Sequence, residues 1–99
     1  MERLSSNILI LCIAEKVMKQ CNITDTDVTT TSADRFGINL MLNKSPKAFD
    51  FMNKLTAKLE LSMVEQRAHR DTERDIEFIT TKFETPAGRD IEICLTESK

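Results

Sequence analysis

The one histidine of the chain, His69, is the residue best suited to acid–base chemistry. Nucleophilic catalysis by Ser or Cys usually needs such a base, and His69 could pair with Asp71 or Glu73. The surrounding stretch, residues 65–75, is crowded with charges of both signs. Such a stretch is typical of a solvated helix end, where each ion pair contributes only ~0–1 kcal/mol. We favour the second interpretation and predict no catalytic residue.

Metal and cofactor sites are not indicated by the remaining polar residues. Asp25 and Asp27 lie beside a predicted helix end, without the glycine and glutamate that a calcium-binding loop would place at set distances. The chain has only two glycines, so a glycine-rich phosphate-binding loop is absent. No pair of cysteines has the two-residue spacing typical of zinc sites. We therefore predict no metal, no cofactor and no enzymatic activity.

The cysteines and the apolar run near the start bear on location. Cys12, Cys21 and Cys94 are an odd number, and we predict buried free thiols in a reducing compartment. The apolar run at residues 8–14 is far shorter than the ~20 residues that span a bilayer. It also lacks a small-residue cleavage site after it. These observations predict a cytoplasmic protein without a membrane partner.

Three arginines, Arg67, Arg70 and Arg74, could contact phosphates. If residues 46–68 and the stretch after them are helical, this spacing places all three on one side. Acidic residues interrupt the positive field, and the net charge of the whole chain is −2. A general nucleic-acid binder usually shows a basic face. Nucleic-acid binding through these arginines is therefore the alternative rather than the leading hypothesis.

The pattern of apolar residues predicts a small α+β protein. Ninety-nine residues, 40% hydrophobic and 30% charged, are typical of one folded domain covering residues 1–99. We expect an antiparallel sheet of three to four strands with two helices packed on one face, in the order α-β(β)-α-β-β. The predicted helices are residues 3–21 and 46–68, and the predicted strands are residues 28–31, 35–43, 75–83 and 89–96.

The second helix has a strong start signal. Ser45 can cap the free backbone N–H groups, and Pro46 loses no hydrogen bond at the first helical position. Apolar residues at helical spacing then predict one buried stripe along residues 46–68. The members of that stripe are Ala48, Phe51, Met52, Leu55, Leu59 and Met63.

The last two strands are predicted to form a hairpin with a fixed register. Pro86 suits the first turn position, and Gly88 suits the left-handed position of a three-residue loop. Thr85 then faces Arg89 across the loop. Counting outward predicts the pairs Phe83 with Ile91, Thr81 with Ile93, and Ile79 with Leu95.

The first helix has more apolar surface than one packing face needs. We predict one apolar face made of Ile10, Ile13, Ala14, Val17 and Cys21. A second apolar face beside it forms our candidate protein interface, made of Leu4, Ile8, Leu11 and Met18. Either the second helix covers this face or a partner does, most simply a second copy across a two-fold axis. Leu61 and Val64 could join that contact.

These features predict a small, non-catalytic cytoplasmic protein that homodimerises. We expect it to act by binding another macromolecule, in the first place a protein, as an adaptor, an inhibitor or an antitoxin would. A phage or mobile-element origin would suit so short a chain. The alternative is an accessory nucleic-acid-binding or regulatory protein that uses the helix end carrying Arg67, Arg70 and Arg74.

Overall fold

Two helices and five strands make up the protein. The structure is a computed structural model, and it describes the backbone of residues 2–98 and the side chains of residues 5–97. In chain order the elements are α1 (Glu2–Gln20), β1 (Val28–Ala33), β2 (Gly37–Asn43), α2 (Pro46–Leu59), β3 (Ser62–Asp71), β4 (Ile76–Glu84) and β5 (Asp90–Ser98).

The strands form one sheet in the order β1-β2-β5-β4-β3. Adjacent strands are antiparallel except β2 and β5, which are parallel. The predicted α+β class with two helices is confirmed. The sheet has five strands rather than the predicted three to four, and it is mixed rather than wholly antiparallel because β2 and β5 are parallel. The β4–β5 hairpin turns back so that β5 enters beside β2, and parallel neighbours result.

The hydrophobic core lies between the helices and the central strands. Alternate residues of β2 and β5 point into it and are buried: Ile38, Leu40, Leu42, Ile91, Ile93 and Leu95. The helices contribute residues such as Val17 of α1 and Phe51 of α2 to the same cluster. Both helices therefore cover one face of the sheet, which we call the covered face. We call the opposite face, which carries Asn39 and Cys94, the open face.

The second helix starts where it was predicted and ends earlier. Ser45 Oγ accepts a hydrogen bond from the Ala48 N–H at 3.1 Å, and Pro46 is the first helical residue. Glu60 adopts a left-handed conformation (φ 53°), and its N–H bonds back to the Thr56 carbonyl. The predicted helical residues 60–68 instead reach into β3, whose backbone groups pair with β4. That ladder outweighs helix propensity, which is a weak preference.

The β4–β5 hairpin has the predicted register. Phe83 pairs with Ile91, and the Thr81–Ile93 and Ile79–Leu95 pairs follow. The Thr85 N–H donates to the Arg89 carbonyl at 2.9 Å, and Gly88 has φ 83°. This prediction is confirmed because the loop chemistry determines the pairing of the strands that it joins.

The loop before β1 is tied to α2 through Asp27. Asp27 Oδ2 accepts bonds from the Thr24 N–H at 2.9 Å and from its hydroxyl at 3.1 Å, and Lys47 Nζ lies 3.0 Å away. The Thr24 N–H, followed by Lys47, lowers the pKa of the Asp27 carboxyl below its ordinary value of 3.8. These contacts hold the entry to β1 against the start of α2.

Asp27 should therefore contribute to stability in a pH-dependent way. Because its pKa is lower in the folded state, its contribution is present above the unfolded pKa and is lost as pH falls through the folded pKa. We expect Asp27→Asn to flatten the acid side of the stability profile, measured by urea unfolding between pH 3 and pH 7. Asp25→Asn controls for the loss of one negative charge from the same loop. An acid profile of Asp27→Asn identical to that of the original chain would contradict this account.

Candidate interaction surfaces

The first helix packs on the sheet through most of its predicted core face, widened by Met18 and Leu11 from the second predicted face. The side chains of Ala14, Val17, Met18 and Cys21 are buried, and Ile10 and Leu11 pack partly against the core. Met18, with 5% of its surface exposed, is therefore not available to a partner in this structure. The Leu4 side chain lies outside the described residues.

Asn7 ties the start of α1 to the β1–β2 turn. Its side chain is fully buried, and Nδ2 donates to the Asp34 carbonyl at 2.6 Å. The Asp34 carboxylate in turn accepts from the Phe36 and Gly37 N–H groups, which shapes the β1–β2 turn. Asn7 Oδ1 has no hydrogen-bond partner among the described residues. At this end of α1 the contact with the sheet is therefore made by a buried hydrogen bond rather than by an apolar side chain.

Part of α1 is left exposed to solvent. Ile8 is 48% exposed and Leu9 is 65% exposed, and Cys12 is exposed one turn further along. Ile8 was predicted to be available to a partner, whereas Leu9 was not among the predicted residues. Because seven apolar residues occur in succession, the sequence does not indicate which of them face outward.

A groove lies beside Leu9. It has a volume of about 500 Å³ and is lined by α1, by the end of α2 and by the β4–β5 loop, including Ile10, Leu59 and Pro86. Lys58, Glu60 and Arg89 stand around it and bring both signs of charge. The sequence did not predict this groove, because the α2 end and the β4–β5 loop that line it are distant from α1 in sequence.

The β3 strand is an edge of the sheet with little cover on either side. Residues 62–70 are all exposed, and Met63 and Val64 are 64% and 54% exposed. Val64 lies at a β-bulge between Met63 and Glu65. Leu61, which was expected to join Val64 in a contact, is instead buried in the core.

The predicted arrangement of the three arginines is wrong because they lie on a strand and its turn. Arg67 pairs with Thr80 and Arg70 with Glu77, so their side chains occupy opposite faces of the sheet, and Arg74 follows in the turn. Each guanidinium also has an acidic neighbour. The ion pairs are Arg67–Glu65 at 3.5 Å, Arg70–Asp75 at 2.8 Å and Arg74–Asp71 at 3.8 Å. They do not form a shared basic face.

His69 and Asp71 make different contacts and do not form the acid–base pair that was considered. The imidazole stacks on Phe78 with ring centroids 6.1 Å apart. Asp71 Oδ1 instead accepts bonds from the Glu73 and Arg74 N–H groups in the turn. Across the described residues, no group of three or more His, Cys, Asp or Glu side chains could hold a metal ion.

The three thiols are free, but their burial differs from the prediction. Cys21 is buried, Cys94 is half-buried and Cys12 is exposed. Burial raises the pKa of the Cys21 thiol, and a hydrogen bond with Asp50 adds to that rise. The prediction of a buried thiol thus holds for Cys21 and is wrong for Cys12.

Comparison with known proteins assigns no family to this chain. No family model, no curated protein and no solved structure matches it. Among the described residues, neither helix is long and apolar enough to cross a membrane. Any functional assignment therefore depends on the surfaces described above.

Proposed function

We propose that this chain is a small, non-catalytic cytoplasmic protein that homodimerises and acts by binding another protein. The observation that supports it most is the exposure of two adjacent large aliphatic residues, Ile8 and Leu9, at 48% and 65%. Adaptors, inhibitors and antitoxins are the kinds of protein whose action requires only such binding.

The apolar part of this surface would supply binding energy. Full burial of an aliphatic side chain is worth about 1.5–3 kcal/mol relative to exposure, so covering Ile8 and Leu9 favours association. The adjacent groove can receive side chains of a partner between α1 and the β4–β5 loop. An apolar centre with polar groups around it is the arrangement found in protein–protein interfaces.

The charged part of this surface favours a protein over a nucleic acid. Lys58 and Arg89 at the groove are accompanied by Glu60, so the rim is of mixed sign. The acidic neighbours of Arg67, Arg70 and Arg74 likewise reduce any attraction to phosphates. Nucleic-acid binding therefore has no observation in its favour here, and it stays an untested prediction.

The test compares capture by two variants of the tagged full chain. We expect the double variant Ile8→Asp/Leu9→Asp to lose a protein partner that the original chain retains from a lysate of its source organism. The matched control, Glu15→Ala/Lys16→Ala, changes two exposed residues of the same helix and should retain that partner. Circular dichroism should show that both variants are folded. Recovery of the same proteins by all three chains would overturn the proposal.

A further inference from the structure

We infer that the homodimer forms through β3: the β3 strands of two copies pair antiparallel about a two-fold axis at Gln66. The inference rests on the proposed homodimerisation, and it adds the surface and the register. The pairing would join the two five-stranded sheets into one continuous sheet.

The shape of β3 suits a second strand. It spans ten residues, contains no proline, and is hydrogen-bonded to β4 alone. The outer side of such a strand presents N–H and C=O groups that can pair with another chain. The other edge, β1, has six residues and is irregular between Val28 and Thr30. Pairing of β3 with β3 also closes a dimer, whereas pairing of β3 with β1 would continue into an open chain of copies.

The two-fold axis restricts the register. An axis perpendicular to the sheet keeps the open faces of both copies on the same side, so opposite residues must share a face. Glu65 and Arg67 share the open face, because they pair with Lys82 and Thr80 of β4. Gln66 points to the covered face, where its Nε2 lies 3.0 Å from Thr81 Oγ1. The axis must therefore pass through a residue of β3, not between two residues.

Charge complementarity selects Gln66 among the central residues. An axis at Glu65 or Arg67 would set that residue opposite itself, and an axis at Ala68 would set Glu65 opposite Asp71. Like charges directly opposite each other across two strands are destabilising. With the axis at Gln66, each Glu65 faces the Arg67 of the other copy, so two ion pairs form. Val64, which is 54% exposed in one chain, then lies close to Ala68 of the other copy.

Glu65 and Arg67 already form an ion pair within one chain, and dimerisation would replace it with pairs between the two copies. Within one chain, Arg67 Nε lies 3.5 Å from Glu65 Oε1, with the two side chains 69% and 51% exposed. An ion pair this exposed contributes ~0–1 kcal/mol, so little is lost when its members turn to the second copy. The bulge at Val64 restricts regular pairing beyond it, which concentrates the contact on residues 64–68.

Charge reversal tests this register. In a dimer of the Glu65→Arg variant, both cross-strand pairs would join two positive side chains. In a dimer of the Arg67→Glu variant, both pairs would join two negative side chains. We expect each single variant to dimerise about 30-fold more weakly than the original chain, since two cross-strand pairs change from attractive to repulsive. An equal mixture of the two variants should recover dimers. In a mixed dimer, each cross-strand pair joins a positive side chain of one variant to a negative side chain of the other. Sedimentation velocity across a range of concentrations measures all of these masses.

The controls are Glu15→Arg and Lys16→Glu, which make the same charge changes at exposed positions of α1 and should dimerise like the original chain. Dimers that persist in both β3 variants would overturn the inference and leave homodimerisation itself standing. A single-chain mass for the original chain at every concentration would overturn both. Partner capture through Ile8 and Leu9 is a separate readout, so failure of the β3 contact is distinguishable from failure of the proposed binding function.

Discussion

Replacement of Gly37 by alanine is expected to lower the free energy of unfolding by about 3 kcal/mol, at the upper end of the typical cost of overpacking. A Cβ at this position would overlap the Asp90 carbonyl oxygen and lie 2.8 Å from the carbonyl carbon. Gly37 and Asp90 are the first pair of the parallel β2–β5 ladder. Since the obstacle is backbone rather than a flexible side chain, the two central strands must separate to relieve it.

Gly88→Ala is the matched control for this substitution. Gly88 has φ 83°, and a Cβ there would meet only Glu84 Oε1 at 3.8 Å. The cost is then the left-handed conformation alone, roughly 1–2 kcal/mol. Urea unfolding followed by circular dichroism measures both variants. A Gly37→Ala variant as stable as Gly88→Ala, or more stable, would show that β2 and β5 do not approach each other as closely as described.

Asn7→Asp is the second substitution with a large expected effect. The introduced carboxylate would be buried beside the Asp34 carbonyl oxygen, with no donor in place of the present 2.6 Å Nδ2 contact. A buried charge without a partner costs about 3–5 kcal/mol, and the carboxyl escapes part of that cost by staying protonated. Its pKa in the folded state is therefore raised, so the destabilisation is full above that pKa and is relieved as pH falls.

Asn7→Ala separates the charge from the lost hydrogen bond. It leaves the Asp34 carbonyl without its side-chain donor, at a cost of about 1–3 kcal/mol that should not depend on pH. Urea unfolding at pH 4 and pH 7 should thus bring Asn7→Asp closer to Asn7→Ala at the lower pH. A constant difference between the two variants would mean that position 7 is open to water, contrary to its complete burial.

The parts of the fold that were predictable from sequence are those determined by neighbouring residues. Pro86 and Gly88 specify the loop of the last hairpin, and the loop in turn specifies the register of β4 and β5. Ser45 and Pro46 likewise specify the start of α2. In both places the turn or cap and the strand or helix that follows it are adjacent in the chain.

The end of α2 and the presence of β3 had no comparable signal. The residue that ends α2 in a left-handed conformation is usually glycine, but here it is Glu60. Glutamate at this position does not predict a helix end. Residues 62–70 are exposed on both faces, so β3 lacks the alternation of buried and exposed residues by which a strand is recognised. The helical spacing of Leu59 and Met63 therefore dominated the prediction.

The surface of α1 and the parallel pairing of β2 with β5 depend on contacts distant in sequence. Asn7 ties the start of α1 to the carbonyl of Asp34, 27 residues away. Which of Ile8, Leu9 and Leu11 is exposed follows from how α1 packs on the rest of the fold rather than from the apolar run itself. The parallel pairing requires glycine at position 37, because a Cβ there would overlap the backbone of Asp90. The sequence alone does not show that Asp90 is its neighbour.

Deuterium exchange of the full chain at low and high protein concentration tests most directly whether a second copy covers β3. At high concentration we expect those backbone amides of residues 64–68 that point away from β4 to exchange more slowly than at low concentration. The amides of β1, the other sheet edge, should exchange at the same rate in both samples. Exchange of β3 that is equally fast at every concentration would contradict the account.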